Sequence, residues 1–135
     1  MIKAVKLGQE IQIGTGNKAG VLANVSKLLS EKGINIEGVA GHVINNEAKI
    51  MVITNDALRA KDALSKAGYK EVKENQVIII ELENKLGALK TVTSVLAEGK
   101  IDIKQIYGTA CVAGCPAQLV LSTSDNDKAL VELKK

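Results

Sequence analysis

The residues best suited to hold a small polar ligand lie in a short loop that this sequence contains twice. The first loop begins at Asn17 and ends at Gly20. The second begins at Asn84 and ends at Gly87, so the two copies lie 67 residues apart (84 − 17). An Asn amide can both donate and accept hydrogen bonds, and a Gly lets a ligand approach the backbone closely. The repetition predicts two related binding positions.

Each loop opens a predicted helix, because apolar residues follow it at helical spacing. A helix N-terminus presents unpaired N–H groups and a partial positive charge, which suit an anionic group. A polar residue also opens the strand after each helix: Asn35 in the first copy and Asp102 in the second. An ionised Asp can only accept hydrogen bonds, so Asp102 suits an ammonium or hydroxyl group.

The candidate ligand-binding residues form two repeated sets. They are Asn17, Ala19, Gly20, Val21, Leu22, Asn35 and Ile36 in the first copy, and Asn84, Leu86, Gly87, Ala88, Leu89, Asp102 and Ile103 in the second. A purely structural alternative stays open, because Asn and Asp are also common in turns and at helix N-caps.

The elements around the loops repeat as well. The segment from Lys3 to Ile13 matches the segment from Lys70 to Ile80 at the same offset. We expect each copy to read strand–helix–strand–strand–helix, preceded by a short strand at 2–7, broken at Gly8, or at 69–73. The predicted units are 1–68 and 69–135. Two arrangements stay open: each short strand pairs locally with the strand after it, or strand 2–7 completes the second unit and strand 69–73 the first.

In these residues the sequence resembles the ACT domain, a βαββαβ ferredoxin-like module that senses amino acids. The resemblance rests on Asn17-x-x-Gly20-Val21-Leu22 with Gly33-Ile34-Asn35-Ile36, and on Asn84-x-x-Gly87-Ala88-Leu89 with Ile101-Asp102-Ile103. It implies an α+β fold of two tandem ferredoxin-like units, with antiparallel sheets and helices on one face. It also implies a free-standing allosteric regulator that binds an amino acid, forms a homodimer by pairing units side by side, and acts on a protein partner.

The resemblance also implies roles for particular residues. In serine-sensing relatives, a loop Asn and an Asn that opens the second strand hold the ligand across an interface between domains, and Asn17 and Asn35 match them. The family usually has Pro before the loop Gly, where Ala19 and Leu86 stand here. Those relatives also place a His where this chain has Thr15. The resemblance therefore leaves the identity of the amino acid open.

Composition narrows the class of protein. The chain has 135 residues with a formal net charge of +3, no Trp and no Phe. Because single-stranded nucleic acids are usually bound on aromatic platforms, we expect no nucleic-acid partner. The longest aliphatic run, Val77–Ile80, is far too short for a membrane span, and the first residues lack a signal-peptide pattern. We therefore predict a cytoplasmic protein. Because the sequence has one His and shows no acid–base pair, we also predict that the protein is not an enzyme.

Two other hypotheses remain. The chain could be an assembly or partner-binding module without a ligand. Alternatively, Cys111 and Cys115 could form a redox or metal sensor. However, the two cysteines of a zinc knuckle are usually closer together in the sequence, and a zinc site needs further ligands. The Gly14-x-Gly16-x-x-Ala19 pattern fits a dinucleotide fingerprint only weakly, and the unit is too short for a doubly wound sheet. We therefore expect no cofactor.

Overall fold

The computed structural model describes residues 1–110 and 114–135. In chain order the elements are β1 (Ile2–Gly16), α1 (Val21–Glu31), β2 (Ile36–Ile44), β3 (Glu47–Thr54), α2 (Ala57–Lys66), β4 (Glu71–Leu82), α3 (Ala88–Glu98), β5 (Ile103–Thr109), β6 (Ala117–Thr123) and α4 (Asn126–Lys134). β3 pairs antiparallel with β1 and β2, and β6 with β4 and β5. The predicted α+β fold with antiparallel strands is confirmed.

The chain forms two compact units. The central unit comprises Gln9–Asn75, and the split unit comprises Met1–Gly8 together with Gln76–Lys135. These divisions run through β1 and β4, so that each unit contains part of both strands. The bounds of 1–68 and 69–135 stay a prediction.

In the central unit the strand order is β2-β3-β1-β4. Both helices pack on one face of these strands, because their buried residues belong to one cluster with the inward residues of β1 and β3. The cluster comprises Ile11, Ile13, Val21, Val25, Leu29, Ile34, Ile50, Val52, Ala60 and Leu64. With few aromatic residues in the chain, aliphatic side chains supply this burial, which is the main stabilising term in folding.

In the split unit the strand order is β1-β4-β6-β5. Its core cluster comprises Ile78, Ile80, Leu82, Ala88, Val92, Leu96, Ile101, Leu121, Ala129 and Leu133. Three residues from the start of β1 (Ile2, Val5 and Leu7) pack against this cluster. Both units thus have the same order of elements across their strands.

The two cores are built from repeat-related residues. Up to the hairpin that follows Asn35 or Asp102, the offset is 67, as in Leu29 and Leu96. Beyond the second hairpin the offset is 69, as in Leu64 and Leu133 (133 − 64). The hairpin of the split unit therefore carries two additional residues, while the core positions before and after it are apolar in both units.

The predicted break at Gly8 is wrong. β1 runs without interruption from Ile2 to Gly16, and β4 runs from Glu71 to Leu82 across the predicted end of the short strand. Gly8 serves close packing instead, because a Cβ there would lie 2.6 Å from Cδ1 of Ile79. A Gly within a strand often marks such an approach rather than an end.

The helix ends follow local sequence rules. α2 and α4 begin at Asp caps: the Asp56 carboxylate accepts a hydrogen bond from the backbone N–H of Arg59 at 3.1 Å, and Asp125 accepts one from Lys128 at 3.0 Å. α1 and α3 begin differently, after Gly20 and Gly87, and no side chain of the described residues caps either of them. Their first N–H groups thus lie at the two candidate loops.

Candidate functional site

The first loop joins β1 to α1 and has a fixed backbone. Gly20 has φ of 91°, a left-handed conformation that Gly adopts without steric cost, and its carbonyl accepts from the Asn24 N–H at 2.9 Å. The Asn17 N–H donates to the carbonyl of Asn46 in the β2–β3 turn at 2.9 Å. The loop is therefore held to the hairpin by its backbone, and the Asn17 side chain is not needed for that contact.

The second loop joins β4 to α3 and has the same backbone form. Gly87 has φ of 85°. Here the start of the chain lies against the loop: the Glu83 N–H donates to the Met1 carbonyl at 2.9 Å, and the Thr91 hydroxyl lies 3.2 Å from the Met1 sulfur. Glu83 also contacts the Met1 amino group at 3.3 Å and Lys85 Nζ at 3.1 Å. The hydrogen bond from Lys85, and then that from the amino group, lower the pKa of Glu83.

A cavity of about 540 Å³ lies on one side of the first loop, within the central unit. Four segments line it: the end of β1 with the loop, the start of α1, the start of β3, and the connection from α2 into β4. Among its lining residues, Asn24 donates a hydrogen bond from its amide to the Tyr69 hydroxyl at 2.6 Å. The volume falls within the range of about 300–1,000 Å³ that small-molecule sites usually have.

Charged residues of both signs line this cavity, which we call the loop cavity. Lys18 and Lys70 supply ammonium groups, and Glu47 and Glu71 supply carboxylates. Glu71 lies close to the backbone of β1, since a Cβ on Gly14 would lie 2.4 Å from its Oε2. The cavity can therefore meet both the carboxylate and the ammonium of a zwitterion.

A second cavity of about 480 Å³ lies on the other side of the first loop, toward β2. Asn17 and Leu22 line it together with Val39 and His42 of β2. Leu22 and Val39 are half exposed. This cavity is the more apolar of the two in its lining residues.

Asn35 and Asp102 are pinned by their backbones. The Asn35 N–H donates to Oδ1 of Asn55 at 3.0 Å, and its carbonyl accepts from the Asn55 N–H at 3.2 Å. In the split unit, Asp102 exchanges the same pair of bonds with Ser124, at 3.0 and 2.9 Å. The side chains of Asn35 and Asp102 take no part in these hydrogen bonds.

Asn17 and Asn35 lie at opposite ends of the central unit. β1 and β2 run in the same direction, so the end of β1 and the start of β2 lie far apart, with α1 between them. α1 has 11 residues, which corresponds to a length of about 16 Å. One amino acid can therefore contact an Asn17 and an Asn35 only if they come from different chains; the same holds for Asn84 and Asp102 around α3.

The other candidate residues differ in how far their side chains are buried. Val21 and Ala88 are each 7% exposed and serve the two cores, whereas Leu86 is 97% exposed. Leu89 is half exposed, like Leu22, and Ile36 packs partly buried against the core of the central unit. Ala19 lines the loop cavity, and Ile103 is exposed at the start of β5. Their binding roles stay a prediction.

The loop cavity contains residues that sequence reasoning missed. Asn24, Tyr69, Lys70 and Glu71 are absent from the two predicted ligand-binding sets, yet they line the cavity with the first loop. A signal was present: Tyr69 is one of two aromatic residues in the chain, and Asn24 lies only four residues after the loop Gly20.

The hypothesis of a redox or metal sensor concerns Cys111 and Cys115. Cys115 is disulfide-bonded, and Cys111 lies outside the described residues. Within residues 1–110 and 114–135, no three His, Cys, Asp or Glu side chains are grouped so that they could hold a metal ion. Within the same ranges, no helix has the length and apolar character needed to cross a membrane.

Comparison with known proteins agrees with this architecture. A family model described as an ACT domain pair matches residues 7–134. The structure of protein BT0572 from Bacteroides thetaiotaomicron is similar, with a TM-score of 0.88 and 25% identity over 96% of this chain and 88% of that one. No curated protein sequence matches the chain.

Two regulatory proteins share the fold at lower identity. The regulatory subunit of aspartate kinase from Thermus thermophilus, in its ligand-free form, has a TM-score of 0.65 and 17% identity, over 98% of this chain and 96% of that one. A putative C-terminal regulatory domain of aspartate kinase from Porphyromonas gingivalis W83 has a TM-score of 0.54 and 14% identity, over 97% and 94%. At these identities the likeness concerns the fold.

Proposed function

This chain belongs to the family of ACT domain pairs, and from that premise we propose that it is a non-catalytic regulatory protein that binds an amino acid at its strand–loop–helix elements. The observation that supports this function most is the position of the first loop between two cavities of about 540 and 480 Å³. Both cavities have the size of small-molecule sites. Regulatory proteins of aspartate kinase have the same fold, which supports a regulatory role for this chain.

The chemistry of the first loop suits an amino acid. The N-terminus of α1 offers N–H groups and a partial positive charge to a carboxylate. The Asn17 amide can donate to that carboxylate or accept from an ammonium, and it lies at the cavity toward β2. Lys and Glu side chains on the other side of the loop can neutralise the two charges of a zwitterion.

The proposal extends to pairing of units. Because Asn17 and Asn35 lie at opposite ends of α1 within one unit, a ligand held by both needs two chains, which favours a homodimer. Binding regulates a protein partner only if the ligand prefers one of two conformations. We place such a regulator in the cytoplasm, without a nucleic-acid or membrane partner.

A thermal-shift screen of the full chain against the common amino acids, in reducing buffer, tests the function. A ligand at a hundredfold over its dissociation constant adds about 2.7 kcal/mol to the free energy of unfolding, which appears as a higher Tm. We expect one clear hit that Asn17→Ala removes and Lys27→Ala, on the exposed surface of α1, leaves unchanged. A flat screen at millimolar concentrations would contradict the function.

One observation favours an assembly module instead. β2 ends the strand order of the central unit, and its Val39, Val43 and Ile44 are each at least half exposed. Exposed apolar side chains along an end strand can pair with another chain. Light scattering distinguishes the two functions: an assembly module stays oligomeric and is unaffected by any amino acid. The redox alternative predicts instead a response to oxidant that Cys115→Ser abolishes.

A further inference from the structure

We infer that the edge of β1 in the split unit, residues 2–8, is a docking surface for an extended acidic segment of a partner protein, which adds to the sheet as a further strand. The inference rests on the proposed function only for the existence of a protein partner, and it requires no particular amino-acid ligand. Three observations carry it: the strand pairing of β1, a cavity beside this edge, and the charge of the edge.

One side of β1 has no strand partner at residues 2–8. In the split unit β1 is the last strand of the order β1-β4-β6-β5, and the Met1 carbonyl before it accepts from the Glu83 N–H after β4 at 2.9 Å. On the side away from β4, the pairing of β1 with β3 covers only Ile11 to Gly16 within the described residues. Residues 2–8 therefore present backbone N–H and C=O groups along about 23 Å of edge. An edge of that length can pair with a strand of another chain.

A cavity of about 530 Å³, which we call the edge cavity, lies against this segment within the split unit. Residues 1–5 line it from the strand, Thr91 and Val95 line it from α3, and residues 132–135 line it from the end of α4. Val5, Val95 and Leu133 give it apolar walls, so that it suits an aliphatic side chain of the added strand. In strand addition the backbone hydrogen bonds supply affinity, and pockets for alternate side chains supply selectivity.

The central unit has larger side chains at the equivalent positions. At the offset of 67, Ile2 and Val95 correspond to Tyr69 and Leu28, both of which are partly buried against the core of that unit. The Tyr69 hydroxyl also accepts a hydrogen bond from the Asn24 amide of α1 at 2.6 Å. The split unit thus has smaller side chains where its last strand meets the helices, and these leave room for a side chain from outside.

The charge of the edge favours an acidic occupant. Residues 2–8 include Lys3 and Lys6, both exposed, and no acidic residue. Among the described residues that line the edge cavity, Glu132 supplies the one side-chain carboxylate, and it already pairs with Lys135 at 3.2 Å. A second copy of the same edge would bring Lys against Lys, and like charges on paired strands are destabilising. An acidic segment instead supplies a carboxylate to each ammonium group.

The repeat-related edge of the central unit has a different charge. There the last strand is β4, and its exposed Glu71 and Glu74 correspond to Ala4 and Leu7. These carboxylates would repel an acidic segment. We therefore expect each chain to take one segment, at the split unit.

Fluorescence anisotropy of a labelled synthetic peptide with the full chain tests the inference. The probe is a capped seven-residue peptide in which Glu alternates with Val. One comparison peptide has Lys in place of Glu, and another has methylated backbone nitrogens, so that it lacks the N–H donors that strand pairing needs. We expect the Glu peptide to bind at one site per chain, at least tenfold more tightly than either comparison peptide, and more weakly as the salt concentration rises.

Two substitutions copy residues of the central unit into the docking surface. Ala4→Glu introduces the carboxylate that Glu71 has at the equivalent position, and Val95→Leu places the larger side chain of Leu28 in the edge cavity. We expect Ala4→Glu to weaken binding of the Glu peptide at least tenfold and Val95→Leu at least threefold. Ala97→Glu makes the same exchange at an exposed position of α3 and is the matched control, with an expected change of less than twofold. Circular dichroism and Tm report whether each variant folds.

The other outcomes would overturn the inference. If no peptide binds to the folded chain, the Lys side chains only protect this edge from pairing. If the Lys peptide binds as tightly as the Glu peptide, the acidic class is wrong, and if the methylated peptide does so, no strand is added. If Ala4→Glu and Val95→Leu leave binding unchanged, the peptide binds elsewhere.

The same variants separate this inference from the proposed function. Ala4 belongs to neither candidate loop, so Ala4→Glu should keep any thermal shift that an amino acid causes in the wild type. Peptide binding with a flat amino-acid screen would contradict the amino-acid site alone. An amino-acid hit without peptide binding would overturn the docking surface and leave the proposed function standing.

Discussion

The two loop–helix corners share one backbone and differ in what lies against it. Gly20 and Gly87 have nearly the same left-handed φ, 91° and 85°, and each carbonyl accepts the hydrogen bond that closes the first turn of its helix. Yet Met1 lies over the second loop, whereas the equivalent position beside the first loop is Gly68. The comparison teaches that the residues that set the backbone have been retained in both copies, whereas the residues that would face a ligand have diverged.

The largest expected effect tests whether the cores of the two units are equivalent. Leu29 and Leu96 are repeat-related, and they are 0% and 1% exposed. Leu→Ala at either position removes buried methyl groups and leaves a cavity, so each should lower the free energy of unfolding by about 2–5 kcal/mol. Urea unfolding measures both. A cost below about 1 kcal/mol at one position alone would show that only the other core is tightly packed.

A smaller effect concerns the ends of α1 and α3. Both helices end with the same hydrogen bond: the Ile34 N–H donates to the Leu29 carbonyl after α1, and the Ile101 N–H to the Leu96 carbonyl after α3, each at 2.9 Å. The left-handed residue within each turn differs: Gly33 has φ of 71°, while Lys100 has φ of 56°. A side chain in this conformation costs about 1–2 kcal/mol, so the same geometry is strained in one unit and relaxed in the other.

Exchanging these residues should therefore change stability in opposite directions. We expect Lys100→Gly to raise the free energy of unfolding by about 1 kcal/mol and Gly33→Ala to lower it by about 1 kcal/mol or more. Thermal and urea unfolding of the two variants give the sign directly. A loss of stability in Lys100→Gly would mean that the Lys side chain contributes more than its backbone conformation costs.

The caps of α2 and α4 should be nearly equal. Asp56 and Asp125 have almost the same φ, −153° and −154°, and each carboxylate accepts one backbone N–H. Replacing either by Ala removes that bond and should cost about 1 kcal/mol. Asp→Asn at the same positions is the control, because Asn caps a helix about as well. Unequal costs in the two Ala variants, measured by urea unfolding, would show that the helices differ in their tertiary support.

Features that depend on neighbouring residues in sequence could be predicted from it. The Asp caps, the left-handed Gly residues after α1 and α2 and the helical stripes are local features, and the repeat relates the stripes and the caps of the two copies, the caps at an offset of 69. The continuity of β1 through Gly8 could not be predicted, because it depends on Ile79, a residue of another strand. The sequence alone does not distinguish a Gly that ends a strand from a Gly that leaves room for a side chain of the neighbouring strand.

The candidate site was predictable only in part for the same reason. The first loop could be recognised, since its residues are consecutive, but the loop cavity also needs Tyr69 and Glu71 from the connection into β4. About 50 residues separate them from the loop.

The smallest expected effect is a pH dependence that only the second loop should show. Hydrogen bonds from Lys85 and then from the Met1 amino group lower the pKa of Glu83 below its ordinary value of 4.5. Because the folded pKa is depressed, ionised Glu83 contributes stability above about pH 4.5, and this contribution is lost as the pH falls through the folded pKa. The first loop has Gly16 at the equivalent position, so no matching loss arises there.

Urea unfolding of the wild type and of Glu83→Gln from pH 7 to pH 3 measures this contribution. The stability difference between them should be present at pH 7 and should shrink toward pH 3, and Lys85→Met should reduce it at pH 7 by removing the larger cause of the shift. High salt should reduce it too, because the three groups are partly exposed and screened by ions. A difference that stays constant with pH would show that Glu83 acts through its shape rather than its charge, and the two loops would then differ in packing alone.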